Sequence, residues 1–137
     1  MTPSTSYAPA FGRLLLAILF LLSGLSKIAA PDVTIGYIGM VGLPAPQLGY
    51  LVALVVEVGG GLLLVTGFQT RIVALVLAVF TVVTALVFHH DFADQNQMIH
   101  FLKNIAIAGG LLQVASFGAG SFSLDARLGR AVAKPAS

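Results

Sequence analysis

Four stretches of this chain are almost free of polar side chains: Gly12 to Ala30, Leu48 to Gly67, Ile72 to Phe88 and Ile99 to Phe117. Each has about the 17 to 25 residues that a helix needs to cross roughly 30 Å of hydrocarbon at about 1.5 Å per residue. With no water there to satisfy backbone amides, such a run crosses only as a helix whose amides are bonded within it. The expected fold is an all-α membrane protein: a four-transmembrane-helix bundle over 12–30, 48–67, 72–88 and 99–117. Only 9% of the residues are charged against 58% hydrophobic. A soluble domain carries about a quarter charged residues, so these runs are spans and not buried core helices.

"LLLAILFLLSGL" also has the length of a secretory h-region, with "IAAP" after it as a cleavage sequence. Lys27 stands between that core and the supposed cut, which argues for retention as helix one. Orientation follows from the basic residues. Arg13, Arg71, Arg127, Arg130 and Lys134 fall on one side of such a bundle, and the opposite loops, 31–47 and 90–98, hold no Lys or Arg. The positive-inside rule then makes both termini cytoplasmic, N-in and C-in. The net charge of +2 reflects this orientation and gives no case for nucleic-acid binding.

Residues 1–11 read as a flexible lead, 12–120 as the membrane domain and 121–137 as a cytoplasmic tail ending in the frayed "RAVAKPAS". Between helices one and two, "PDVTIGYIGMVGLPAPQ" mixes apolar residues with glycines and prolines, which suggests a short interfacial segment. The absence of cysteine excludes disulfide exchange, thiolate-held zinc and iron–sulfur clusters. "GGG" at 59–61 lies inside an apolar helix and is a packing feature, not a phosphate loop.

The polar residues within the spans gather toward the outer side. Helix one presents Phe20, Ser23, Gly24 and Lys27 on one face, and helix two Tyr50, Ala53, Glu57, Gly60 and Gly61. Helix four presents His100, Lys103, Asn104 and Ile107. Glycines let backbones approach in lipid, so Gly24, Gly60 and Gly61 mark packing faces and these stripes are the expected interior. Glu57 falls near the midplane, where a charge costs about 2.5–3.5 kcal/mol. One reading makes it the counter-ion of Lys27, Lys103 or both, with Ser23 and Asn104 adding hydrogen bonds. The other makes it a protonated helix–helix hydrogen-bonder while both lysines snorkel outward.

"SGLSK" at 23–27, "EVGGGLLLVTG" at 57–67 followed by "TR" at 70–71, a histidine ending helix three and "LKN" at 102–104 together resemble the DoxX family of small four-helix bacterial inner-membrane proteins. The resemblance covers roughly residues 12–120. Lys27, Glu57, Gly60, Gly61, Arg71, Lys103 and Asn104 match the family pattern, which implies a subunit associated with membrane redox chemistry, with protein partners in such a complex.

Several chemistries fit these residues. Lys27, Lys103 and Asn104 beside a midplane carboxylate offer donors and an acid to a quinone or another amphipathic molecule. A non-catalytic assembly subunit and a proton-linked carrier, the latter needing a homo-oligomer to make a path, are the alternatives. His89, His90 and His100 gather near one membrane face as conceivable metal ligands, but histidines at helix ends are more often solvated, and no metal is expected.

Overall fold

A computed structural model describes residues 6–133, and the helices in it begin and end where backbone chemistry dictates. The chain forms α1 (Ala8–Ala29), the short α2 (Pro31–Met40), α3 (Pro46–Leu54), a π-helical turn (Val55–Gly59), α4 (Gly60–Thr66), α5 (Thr70–Phe88), α6 (Gln95–Phe117) and α7 (Leu124–Ala133). α3, the π turn and α4 form one continuous rod, Pro46–Thr66, so four helices are long and apolar enough to cross a membrane.

Prolines set several starts. Pro9, Pro31 and Pro46 each occupy the first turn of a helix, where a missing N–H costs nothing. The second span ends in a Schellman motif: Gly67 adopts φ 68°, its N–H donates to Leu64 O at 3.2 Å, and the Phe68 N–H donates to Leu63 O at 3.1 Å.

α1 packs along the second span and α5 along α6. These two hairpins meet where α4 and the π turn lie against α5, while α1 and α6 barely touch. The core at the junction contains Ala17, Phe20, Leu64, Leu77, Ala78 and Leu111. Between α1 and α6 lies an apolar groove of about 660 Å³, bordered by Gly12, Leu16, Leu19, Gly110 and Gln113.

Three boundaries differ from the sequence reading. α1 starts at Ala8, so the second half of the expected flexible lead is helical, and residues 1–5 lie outside the described residues. α6 starts at Gln95 instead of residue 99, because the Asp94 carboxylate accepts the Asn96 N–H at 2.8 Å and the Gln97 N–H at 3.4 Å. The expected tail contains α7, anchored to the bundle by Asp125; residues 134–137, Lys134 among them, lie outside the described residues.

Candidate functional site

The π turn places Glu57 on the inner face of the second span. Hydrogen bonds closed one residue further along widen the helix there. Ala53, Glu57 and Gly61, each four residues apart, lie on one buried stripe that continues to Leu64. Glycines bring α1 against that stripe. A β-carbon at Gly24 would lie 2.5 Å from Val58 Cγ2, and one at Gly61 2.8 Å from Leu21 Cδ2, so neither position has room for a larger residue.

This close approach brings Ser23 and Lys27 to Glu57. Lys27 Nζ donates to Ser23 Oγ at 2.8 Å and to Glu57 Oε1 at 3.1 Å, and Ser23 Oγ donates to the same Oε1 at 3.1 Å. The ammonium also lies 3.0 Å from Oε2, which has no aligned hydrogen-bond donor of its own. That oxygen is held by charge alone. Tyr50 steadies the cluster, its hydroxyl donating to the Lys27 carbonyl at 3.1 Å. The Glu57 side chain is 7% exposed and that of Lys27 25%, so the lysine is the side from which the carboxylate can be approached.

Lys103 and Asn104 do not join this cluster. α6 is turned so that Ala108 and Leu111 are buried and Asn104 and Ile107 half-buried, while His100 and Lys103 are exposed. Asn104 Nδ2 donates to the Thr81 carbonyl at 3.4 Å. A bundle face made of alanine and leucine packs without desolvating an ammonium, and Lys103 near the outer end can instead extend along its stem toward water. Gly60 faces α5 rather than α1, with Leu77 Cδ2 2.9 Å from where its β-carbon would be.

The histidines sit at the outer rim. The rings of His89 and His100 are 5.1 Å apart, and His90 Nδ1 lies 3.1 Å from the Val87 carbonyl oxygen. Burial, helped by the neighbouring His100, holds the His89 imidazole below its ordinary value of 6.5. Among the described residues no group of three or more His, Asp or Glu is arranged to hold a metal ion.

At the opposite end lies a polar site that sequence reasoning missed. Arg13 is 2% exposed. Its Nε donates to Ala119 O at 3.0 Å, Nη1 to Leu64 O at 2.5 Å and Val65 O at 3.3 Å, and Nη2 to Phe122 O at 2.6 Å. One guanidinium thus ties the start of α1 to the last-turn carbonyls of α4 and to the segment after α6. Asp125 completes the knot by accepting the Gln69 N–H at 2.8 Å and the Thr70 N–H at 2.9 Å at the start of α5. Burial alone would raise this carboxyl, but the Thr70 and Gln69 hydrogen bonds and the Arg13 charge outweigh it and hold it below 3.8. A signal was present in the sequence: Arg13, Ala17, Phe20 and Gly24 recur every three or four residues on one stripe, which aims Arg13 inward.

Comparison with known proteins points the same way as the architecture. A family model described as DoxX matches residues 8–90. The Escherichia coli (strain K12) protein "Inner membrane protein YqjF" is 40% identical over 118 residues, covering 86% of this chain and 89% of its own. "Inner membrane protein YphA" of the same organism is 37% identical over 121 residues, covering 84% and 86%. A Bacillus subtilis (strain 168) protein named "Putative oxidoreductase CatD" is 36% identical over 75 residues, covering 55% and 54%. No solved structure matches the chain.

Proposed function

The chain belongs to the DoxX family of inner-membrane proteins, and from that premise we propose that it is a subunit of a redox-associated membrane assembly that binds the polar head of a quinone at the Lys27–Glu57 pair. The observation that carries this reading is the asymmetry of the pair: a nearly buried carboxylate with one oxygen lacking a hydrogen-bond donor, reached through a partly exposed ammonium. Lys27 can donate to a quinone carbonyl, while Glu57 can exchange a proton with it through Ser23. The exposed aliphatic side chains on either side of Lys27, Leu22, Leu25 and Ile28, suit an isoprenoid tail. A relative's printed name as an oxidoreductase agrees with this chemistry.

Binding of a short-chain quinone analogue to the purified protein in lipid nanodiscs tests the proposal. Lys27→Met removes a charged donor and is expected to weaken binding roughly ten- to a hundredfold. Absence of saturable binding by the wild type, or equal affinity in Lys27→Met, refutes it. A second reading, a docking subunit without chemistry of its own, is favoured by Lys103, an exposed ammonium within the fourth span that a partner's acidic residue would pair. Co-purification of a partner from native membranes, lost in Lys103→Met, would select that reading.

A further inference from the structure

Among the described residues, α7 meets the rest of the chain through its first turn alone. Asp125 and Ala126 are half-buried, and the Asp125 N–H donates to Gly67 O at 2.9 Å, yet every residue from Arg127 to Val132 is exposed. A ten-residue helix is marginal in water without tertiary packing, and Gly129 near its middle lowers its propensity further. A surface outside the protein is needed to hold it.

Its side chains and its level identify that surface. Leu124, Leu128 and Val132 recur every fourth residue on one stripe, 39%, 51% and 87% exposed. At about 100° per residue Arg127 flanks the stripe and Arg130 lies on the face turned away from it, giving a short amphipathic helix with a basic polar side. Asp125 fixes the helix to Gly67, Gln69 and Thr70, the turn between the second and third spans, so it starts at the membrane boundary. Exposed Tyr7 lies at the same end, where an amphipathic ring suits the headgroup region.

We infer that α7 lies on the cytoplasmic leaflet, with Leu124, Leu128 and Val132 entering the acyl boundary, Arg127 at the phosphates of anionic phospholipids and Arg130 above them, within the attractive surface potential. The chain has no cysteine, so single labels can be placed without background. Leu128→Cys and Gly129→Cys, each carrying an environment-sensitive nitrobenzoxadiazole label, are compared in nanodiscs of phosphatidylcholine with and without phosphatidylglycerol, using doxyl-labelled lipid as quencher. The label at 128 is expected to be blue-shifted and quenched in anionic discs, and the label at 129 to stay water-like. Each basic residue near an anionic surface contributes roughly fivefold, so Arg127→Gln with Arg130→Gln should reduce the docked-to-free ratio about thirtyfold. The inference is overturned by equal signals at the two positions, by a shielded label at 128 that doxyl lipid does not quench, or by quenching indifferent to lipid charge.

Discussion

Removing either partner of the Lys27–Glu57 pair should not be equivalent, because the two side chains differ in their access to water. In Lys27→Met the carboxylate keeps the Ser23 hydroxyl but loses its cation while remaining buried among Ala53, Gly24 and Gly61. Stripping one partner from a buried ion pair costs about 3–5 kcal/mol, and little in this pocket can relieve that. In Glu57→Gln the shape is retained and the orphan is Lys27, which is already a quarter exposed and can extend outward. The expected loss is nearer 2 kcal/mol, about that of a charged hydrogen bond. The double variant leaves no orphan charge, so it should be more stable than Lys27→Met alone, with a coupling energy of about 3 kcal/mol.

Reversible unfolding in mixed micelles of the wild type, both single variants and the double variant closes the cycle. A parallel cycle of Lys103→Met with Glu57→Gln serves as reference, since Lys103 lies outside the cluster and its effects should add within about 0.5 kcal/mol. Additivity in the Lys27 cycle would refute the claim that the pair holds α1 to the second span. Coupling to Lys103 of similar size would refute the orientation of α6.

The end that holds Arg13 and Asp125 offers two further tests, and the histidine rim opposite it a third. Gly67→Ala forces a β-carbon onto a residue at φ 68° and within 2.7 Å of Arg13 Nη1 and 2.5 Å of Ser123 Cβ, so it should cost about 3 kcal/mol in the same unfolding assay, whereas Gly129→Ala, in open space, should not destabilise. Asp125 is held below its ordinary value in the folded protein, so its contribution is present above about pH 3.8 and is lost as the pH falls through the folded value; Asp125→Asn should flatten the acid limb of the stability profile below pH 4. His89 is also held low, which means the folded state favours the neutral ring and loses stability as the pH falls below 6.5. His89→Phe should shrink the drop in unfolding midpoint between pH 7.5 and 5.5, and an unchanged drop would assign that titration elsewhere.

Hydropathy made the four spans legible because the bilayer imposes length and apolarity on each one separately, whatever its neighbours do. The faces of α1 and the second span were legible for a related reason: Gly24, Gly60 and Gly61 stand where side chains would collide, and Ser23, Lys27 and Glu57 lie on the stripes those glycines define. The face of α6 was legible only in part: Asn104 and Ile107 turn inward as expected, while His100 and Lys103 do not. Its polar residues suggested an inward stripe of His100, Lys103, Asn104 and Ile107, yet in lipid both faces of a helix are apolar, and small residues carry more information about packing than polar ones near the headgroups. Ala108 and Leu111 therefore mark the interior, and Lys103 is left outside.

The π turn escaped sequence reasoning because nothing in "VVEVG" distinguishes it from an ordinary helix. Both ends of the second span are fixed. Near one end, Tyr50 bonds the Lys27 carbonyl; at the other, Arg13 grips the Leu64 and Val65 carbonyls and Gly67 closes the Schellman turn. An uninterrupted α-helix at 3.6 residues per turn keeps Ala53, Glu57, Gly61 and Leu64 within about 80° of one another, so this face was readable from the spacing whether or not the turn widens. The carbonyl partners of Arg13 also explain why a basic residue that marks orientation in the sequence is buried almost as deeply as the leucines of the core.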